Sequence, residues 1–295
     1  EIADTDLVKS NGPAIKLIEE IHEIMPYIEK ETGVKIRFLA AMRRIPLTII
    51  KDQKTSNTYL RENINVLRAV AKSPYVVGSD FIGEEINDIS DLQPAIKEIV
   101  RYINEEDKDF TIRIHAGEND SLRNNVRKSI MCVKESLEKE QEMPRCRIGH
   151  GLYSEDLNTE SGKELLKLMK DTGVVIEFQL TSNVRLNNLS DLKNHPIKIF
   201  LKNGIKCVQG TDGGGMYGSD TFDEQLALQN LLELSDDEFA KMREVEDEIT
   251  TKNNIYFMQK SEKFDKFLSG RTIKEAILEE EDKYKRNGKS RWIKN

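Results

Sequence analysis

The segment Phe110–Glu118 has the sequence FTIRIHAGE, which joins a short apolar stretch directly to a polar turn. The β-branched residues within Phe110–Ile114 are typical of a strand. A histidine and an acid follow at once, because His115 and Glu118 lie at the two ends of the turn. In a parallel α/β barrel, the carboxyl ends of the strands meet on the face where active sites are built. The segment therefore predicts a barrel strand that delivers His115 and Glu118 to a functional face.

Three later strand patterns end in a similar way, with polar residues and glycines at or near their carboxyl ends. One is followed by a histidine between two glycines, one contains a glutamate, and one is followed by an aspartate and a glycine run. Four such strand ends indicate a shared site more strongly than any one of them alone. The three patterns are Cys146–Ile148 before Gly149–Gly151, Val174–Leu180 (with Glu177) before Thr181–Asn183, and Ile205–Val208 before Gly210–Asp212 and Gly213–Gly215.

The rest of the chain alternates strand and helix patterns. Two further strands are predicted at Val34–Ala41 and Tyr75–Phe81, which makes six. Strands that alternate with helices of about ten or more residues favour right-handed crossovers and a parallel sheet. After Phe222 the pattern is charged and helical, over Leu226–Ile255 and Ile273–Tyr284. We therefore expect an α/β fold, with a partial (β/α)8 barrel over residues 1–225 and a helical segment over residues 226–295 packed on it.

Each of the chemically active residues also has a simpler structural explanation. His115 alone would be an ordinary structural histidine, and the glycines beside His150 could mark tight turns. Asp212 could cap a helix, and Glu118 could favour the dipole of a following helix. These explanations must all hold together at neighbouring strand ends, so the joint functional interpretation is preferred.

The motifs resemble, in order, those of the adenosine/AMP deaminase family of metal-dependent hydrolases. The resemblance spans about residues 34–225, and Asn183–Pro196 is similar to the growth-factor-like branch of that family. It implies a (β/α)8 barrel with one catalytic divalent metal, usually zinc. The implied reaction is hydrolytic deamination of a 6-aminopurine nucleoside or nucleotide (adenosine, AMP or ATP) by a metal-activated water, which gives the inosine form and ammonia.

The resemblance also implies roles for individual residues. His115 and Asp212 would be metal ligands, and His150 would hold or deprotonate the reacting water with help from Asp212. Glu118 would protonate the purine ring nitrogen N1, and the backbone N–H of Gly83 would contact another ring nitrogen. A divalent metal suits this chemistry because it lowers the pKa of a bound water to about 7.

The sequence departs from the family pattern near its start. The His-x-His motif that ends the family's first strand is absent, and His22 stands alone in an amphipathic helix. The six predicted strands correspond to the family's strands three to eight. Catalytic zinc normally has three or more protein ligands, so His115 and Asp212 alone would hold it poorly. We therefore expect that strands one and two are missing from this chain, and that a preceding segment or a partner chain completes the barrel.

A second departure follows the last strand, where the family usually has two adjacent acids. Here the second position is Gly213, followed by Gly214 and Gly215. Loops after the last strands of such barrels often bind phosphate, and a glycine run exposes backbone N–H groups. We therefore expect Gly213 and Gly214 to bind a phosphorylated substrate such as AMP or ATP, as in deaminases of bacterial antiviral defence. The alternative is that the glycines form only a flexible turn.

Composition limits the remaining possibilities. The chain has 295 residues, which is long enough for a barrel. Its net charge of −7 argues against a nucleic-acid partner. The basic run Lys283–Lys294 is interpreted as a solvated tail. Three cysteines without paired spacing predict buried thiols in a reducing compartment, so a cytoplasmic location is expected, with no membrane partner. A start at Glu1 and a polar opening suit a trimmed piece, and a homo-oligomer is possible.

Other functional classes were weighed against the deaminase interpretation. A zinc deaminase of the cytidine type would need His-x-Glu and Cys-x-x-Cys patterns, which are absent. A different metal hydrolase on the same barrel stays open, although the acid at Glu118 favours purine ring protonation. A catalytically inactive barrel with a scaffolding or assembly role is the alternative from another class.

Overall fold

The structure is a computed structural model that describes residues 13–44, 58–186, 189 and 194–288. Six strands form one sheet, and each strand lies beside its neighbour in the chain. They are β1 Phe38–Arg43, β2 Val76–Ile82, β3 Thr111–Ala116, β4 Cys146–His150, β5 Val175–Phe178 and β6 Lys206–Gln209. The pairs β1/β2, β4/β5 and β5/β6 are parallel, as predicted.

Helices separate the strands, as the alternating pattern predicted. A single 3-10 turn, Ile89–Leu92, precedes the third of them. The helices are α1 Pro13–Thr32, α2 Thr58–Val70, α3 Gln93–Glu105, α4 Asn125–Glu135, α5 Glu160–Thr172, α6 Leu180–Arg185, α7 Ile197–Lys202, α8 Gly214–Tyr217, α9 Thr221–Leu231, α10 Asp236–Leu268 and α11 Ile273–Gly288.

The strands are short and apolar because both of their faces are covered, as parallel sheets require. Every residue of β5 is buried, and so is every residue of β2 except the last. In the register of the sheet, Glu177 of β5 lies opposite Gly149 of β4 and Val208 of β6. This register places the charged side chain of Glu177 between a glycine of β4 and a valine of β6.

β1 begins at Phe38 and not at the predicted Val34, and two further predicted elements differ from the structure. The strand predicted to run to Leu180 ends at Phe178, and α6 begins at Leu180. The Glu224 carboxylate accepts hydrogen bonds from the backbone N–H groups of Leu180 and Thr181 at 2.9 and 3.0 Å, which stabilises the start of α6. Because Glu224 is distant in sequence, no local pattern indicates this helix start.

The single helix predicted at Leu226–Ile255 is in fact two helices, α9 and α10. Ser235 and Glu238 exchange hydrogen bonds between side chain and backbone just before α10, which is a capping box. A serine three residues before a glutamate was therefore a local signal for a helix start within this stretch.

The described chain divides into two compact units. One contains residues 1–83, 94–112 and 252–295, and the other contains residues 84–93 and 113–251. The predicted division between residues 225 and 226 stays a prediction. Cys132, Cys146 and Cys207 are free and buried, as expected. Among the described residues, no helix combines the length and the apolar character that a membrane crossing requires.

Parts of three sequence predictions lie outside the described residues. They concern the polar opening before residue 12, the end of the basic run from residue 289, and most of the stretch 187–193. His22 is described: it lies in α1, where its Nε2 is 2.8 Å from the Ser73 hydroxyl and its ring stacks on Phe264 at 4.7 Å. These contacts account for it as a structural histidine.

Candidate active site

Three of the predicted site residues come together in the second unit. Glu118 follows β3, His150 is the last residue of β4, and Asp212 follows β6. One potential ligand atom from each lies within 4.8 Å of the other two. The strand ends therefore bring an imidazole and two carboxylates to one point, and this set is called the Glu-His-Asp cluster below.

His150 is fully buried, and neighbouring polar groups fix its orientation. Its backbone N–H donates to Gln179 Oε1 at 3.1 Å, and its Nδ1 lies 3.1 Å from Asn183 Oδ1. Because that amide oxygen only accepts, Nδ1 carries the proton and Nε2 keeps the lone pair. Nε2 is buried without a hydrogen-bond partner among the described residues and lies 3.8 Å from Glu118 Oε1. The Nε2 lone pair of His150 therefore lies inside the Glu-His-Asp cluster and is available to a proton or a metal ion.

The buried position also determines the charge of this histidine. Burial holds the pKa of His150 well below its ordinary value, and the nearby His115 and Arg113 charges lower it further. The ring is therefore neutral near pH 7. A neutral imidazole with a free lone pair can accept a proton or bind a metal ion.

Glu118 is the acid of the cluster. Burial raises the pKa of Glu118, and the carboxylates of Asp212, Glu85 and Glu84 raise it further, against the lowering effect of His115. A raised pKa keeps a larger fraction of the carboxyl group protonated near neutral pH. This is the property that a general acid needs.

Glu85 fixes the backbone of the turn that carries Glu118, although sequence reasoning did not assign it a role. Its carboxylate accepts hydrogen bonds from the backbone N–H groups of Gly117 and Glu118 at 2.8 and 2.7 Å. It also accepts one from Asn125 Nδ2 at 2.6 Å. Glu85 is 1% exposed, so these bonds are shielded from water.

Gly117 is required by the same turn. Its φ angle is +79°, and a Cβ atom there would collide with the carbonyl oxygen of Tyr153. The backbone N–H of Tyr153 in turn donates to the Gly117 carbonyl at 2.8 Å. The turn after β3 is thus tied to the segment after β4, next to His150.

Asp212 is oriented by α6. Its Oδ2 accepts a hydrogen bond of 2.7 Å from the Ser182 hydroxyl, and the next residue, Asn183, contacts His150. Ser182 and Asn183 are both fully buried. One turn of helix therefore orients two members of the Glu-His-Asp cluster.

Two members of the cluster have unusual backbone conformations. His150 and Asp212 have φ angles of +76° and +55°, a region that side chains other than glycine rarely adopt. Such conformations cost about 1–3 kcal/mol each and concentrate at functional sites. Their presence at two of the three cluster residues supports a functional interpretation over a simple helix cap at Asp212.

His115 lies beside the cluster but is not one of its three members. Its ring centroid is 5.3 Å from that of His150. The Arg113 guanidinium is directed at it, with Nη1 at 3.1 Å from Nδ1 and 3.3 Å from Nε2. Glu177 pairs with Arg113 and with Arg147, so the structure places this glutamate between two arginines instead of in the cluster.

The predicted substrate-binding glycines lie in two different places. Gly83 follows β2 in the first unit and has a φ angle of +109°. Gly213 is the N-cap of the short helix α8, and Gly214 is its first residue. A Cβ atom on Gly214 would lie 2.7 Å from the Ser219 carbonyl oxygen, so the turn itself requires this glycine. Their roles in substrate binding stay predictions.

The Glu-His-Asp cluster has the donors that a divalent cation needs. Two carboxylates and an imidazole are usual zinc ligands, with bond lengths of about 2.0–2.2 Å. Nε2 of His150 is buried and has no hydrogen-bond partner among the described residues, so its lone pair is available either to a cation or to a water held beside one. The predicted ligand pair, His115 and Asp212, shares Asp212 with this set.

Comparison with known proteins identifies the family. The model of the adenosine deaminase family matches residues 9–246, which is most of the chain. The chain belongs to the adenosine deaminase family. An adenosine deaminase of Plasmodium gallinaceum is 34% identical over 166 residues, which cover 56% of this chain and 40% of the relative. The chain matches about two fifths of the length of such curated relatives.

Solved structures show the same fold. An amidohydrolase from Burkholderia ambifaria with bound Zn has a TM-score of 0.63 at 14% identity, covering 94% of this chain and 68% of that one. Arabidopsis ADAL complexed with IMP has a TM-score of 0.54 at 18% identity, covering 86% and 68%. The six-stranded sheet therefore has the α/β fold of these barrel proteins, and a partial barrel agrees with this.

Proposed function

We propose that this chain supplies the catalytic face of an enzyme that removes the amino group from a 6-aminopurine nucleoside or nucleotide by hydrolysis. The Glu-His-Asp cluster carries the proposal, because it combines a poised acid with a neutral base at the carboxyl ends of the strands. The reaction exchanges the C6 amino group for oxygen from water, and it releases ammonia and the 6-oxopurine.

Different residues of the site donate and accept protons in the proposed reaction. Glu118, whose pKa is raised, donates a proton to ring nitrogen N1 and makes C6 electrophilic. His150 accepts a proton from water at Nε2, its only nitrogen with a lone pair, and Asn183 holds the ring in that tautomer. The Ser182 hydroxyl orients the Asp212 carboxylate beside them.

A divalent metal, proposed to be zinc, would be held by His115 and Asp212. When bound, such an ion makes water a nucleophile at neutral pH by lowering its pKa. His150 and Glu118 stay available for proton transfer in this arrangement. The remaining metal ligands would come from a segment or partner chain that completes the barrel.

The proposed substrate is a nucleotide. Arabidopsis ADAL, a solved structure similar to this chain, is complexed with IMP, a purine nucleotide. In this chain the loop after β6 carries Gly213–Gly215 in place of an acidic residue, which reduces repulsion of a phosphate. We propose that backbone N–H groups of this loop contact the phosphate of AMP or ATP.

A substrate panel with one pair of variants tests the proposed function. Ammonia release is measured with adenosine, AMP and ATP, in the presence of zinc, for the wild type, Glu118→Gln and Asp120→Asn in the full open reading frame that contains this chain. Glu118→Gln is expected to lose about 10²–10⁴-fold in kcat, the usual contribution of a general acid. Asp120→Asn makes the same change from acid to amide in the same loop, but its side chain is 67% exposed, and kcat should be unchanged.

The outcomes of the panel separate the possible functions. Faster release from AMP or ATP than from adenosine supports the nucleotide proposal, and much faster release from adenosine contradicts it. Ammonia release that survives Glu118→Gln contradicts the assignment of the acid. A protein that releases no ammonia from any of the three supports the scaffolding alternative.

A further inference from the structure

Arg113 is a buried cation that is directed at a candidate metal ligand. It lies two residues before His115 on β3, so both side chains point to the same face of the strand. Arg113 is 8% exposed, and its Nη1 is 3.1 Å from Nδ1 and 3.3 Å from Nε2 of His115. A guanidinium therefore occupies the immediate surroundings of the His115 ring nitrogens.

Residues of neighbouring strands fix the position of this guanidinium. Its Nε donates to Glu177 Oε2, and Glu177 is held from the other side by Arg147 at 2.7 Å. Opposite Glu177 lies Gly149, where a Cβ atom would be only 2.8 Å from Nη2 and 3.1 Å from Cζ of Arg113. The guanidinium thus fills the space that a side chain at position 149 would need.

The hydrogen-bonding capacity of the two side chains makes the contact exclusive. An arginine side chain only donates, and the His115 imidazole can bind a metal ion only when one of its nitrogens carries a lone pair. Arg113 Nη1 lies within 3.3 Å of both ring nitrogens, so a guanidinium cation is beside the lone pair whichever nitrogen carries it. A metal ion needs that lone pair and is repelled by the same cation, so Arg113 in this position and a metal cannot both contact His115.

We propose that Arg113 is a positioning residue that competes with the metal ion for His115. In the metal-free protein it holds the His115 ring in place, and metal binding requires it to withdraw from the ring while it keeps its ion pair with Glu177. This inference rests on the proposed metal-dependent function. It predicts that Arg113 weakens metal binding by about tenfold to a hundredfold, the usual strength of a hydrogen bond to a charged group.

Metal affinity tests the competition directly. Zinc dissociation constants are measured by chelator competition for the wild type, Arg113→Met and Arg147→Met, in the full open reading frame that contains this chain. Arg113→Met is expected to bind zinc at least about tenfold more tightly. Arg147→Met removes the other guanidinium from Glu177 without touching His115, so its affinity should stay within about twofold of the wild type.

The outcomes distinguish this inference from the proposed function. If the wild type binds zinc and releases ammonia but Arg113→Met binds zinc no more tightly, the competition is wrong and the proposed function stands. If Arg147→Met gains affinity as much as Arg113→Met, the effect comes from the charge near Glu177, and the inference is again wrong. If neither wild type nor variant binds zinc, both proposals are overturned.

A measurement on the unaltered protein covers the case in which Arg113→Met does not fold. Arginine side-chain NMR signals are followed during zinc addition, with Arg113 and Arg147 assigned by through-bond correlation to their backbone signals. The Arg113 Nη signals are expected to shift as zinc binds, while those of Arg147 stay in place. An Arg113 signal that does not change on zinc binding contradicts the proposal.

Discussion

At the scale of single residues, the candidate site depends on side chains whose donors and acceptors are fixed by other elements. The contact with Asn183 fixes the tautomer of the His150 ring, and a hydrogen bond from Ser182 orients the Asp212 carboxylate. Glu85 fixes the backbone that carries Glu118. Such contacts hold the reactive groups in place before substrate binds. This preorganisation supplies much of the rate enhancement of catalytic sites.

The sequence could indicate some of these residues but not others. His115, Glu118, His150 and Asp212 stand out because each lies at or just after the end of a strand pattern. Glu85 and Arg113 could not be recognised, because Glu85 acts on the distant residue Gly117 and the distant Glu177 fixes Arg113 beside His115. Glu177 stands out within its strand pattern, but its pairing with two arginines outside the Glu-His-Asp cluster depends on distant residues.

The raised pKa of Glu118 predicts how stability depends on pH. A carboxyl group with a raised folded pKa contributes stability below its unfolded pKa, and this contribution is lost as pH rises through the folded pKa. Glutamine stays neutral at all pH values. We therefore expect Glu118→Gln to gain stability relative to the wild type as pH rises from about 4 to 8, measured by urea unfolding.

The exposed acid Asp120 provides the control for this prediction. Asp120→Asn removes one charge two residues away, so it shows the general effect of net charge on unfolding. A stability difference for Glu118→Gln that does not change with pH, or that falls as pH rises, would contradict a raised pKa.

At the scale of elements, the short helix α6 connects the sheet to the site. Its first backbone N–H groups are held by Glu224 of α9, and its next two residues orient Asp212 and His150. Most helices and all six strands follow from periodicity and apolar runs. The start of α6 does not, because a carboxylate from a distant helix supplies the cap.

Glu224→Gln tests whether α6 positions the site. An amide has one oxygen in place of two, so a buried N–H group at the start of α6 loses its acceptor. We expect a loss of about 1–3 kcal/mol in the free energy of unfolding, and a kcat that falls because Ser182 and Asn183 shift. Urea unfolding and ammonia release measure the two effects.

The adjacent acid in α9 gives a matched control. Asp223 belongs to the capping box of α9 with Asp220, and it makes no hydrogen bond to α6 among the described residues. Asp223→Asn keeps an acceptor oxygen and loses a negative charge in the first turn of α9, so it should cost about 0.3–1 kcal/mol of stability and leave kcat unchanged. A wild-type kcat in Glu224→Gln would show that α6 does not position the site.

At the scale of the whole molecule, the described sheet holds six strands in chain order, with β1 and β6 at its two ends. The chain matches about two fifths of the length of curated adenosine deaminases. The fold class and the family could be predicted from the sequence, because the motifs lie in order along the strands. How the barrel is completed could not be predicted, because this depends on the residues that pair with β1 and β6.

The central claim is that the Glu-His-Asp cluster belongs to a metal-dependent purine deaminase. The most direct test strips the full open reading frame of metal and measures ammonia release from AMP while zinc is added back. We predict that activity is absent without metal and rises to a plateau at about one zinc per chain, the stoichiometry of a single catalytic site. Ammonia release that is complete in the stripped protein, or absent at every zinc concentration while zinc binds, would contradict the claim.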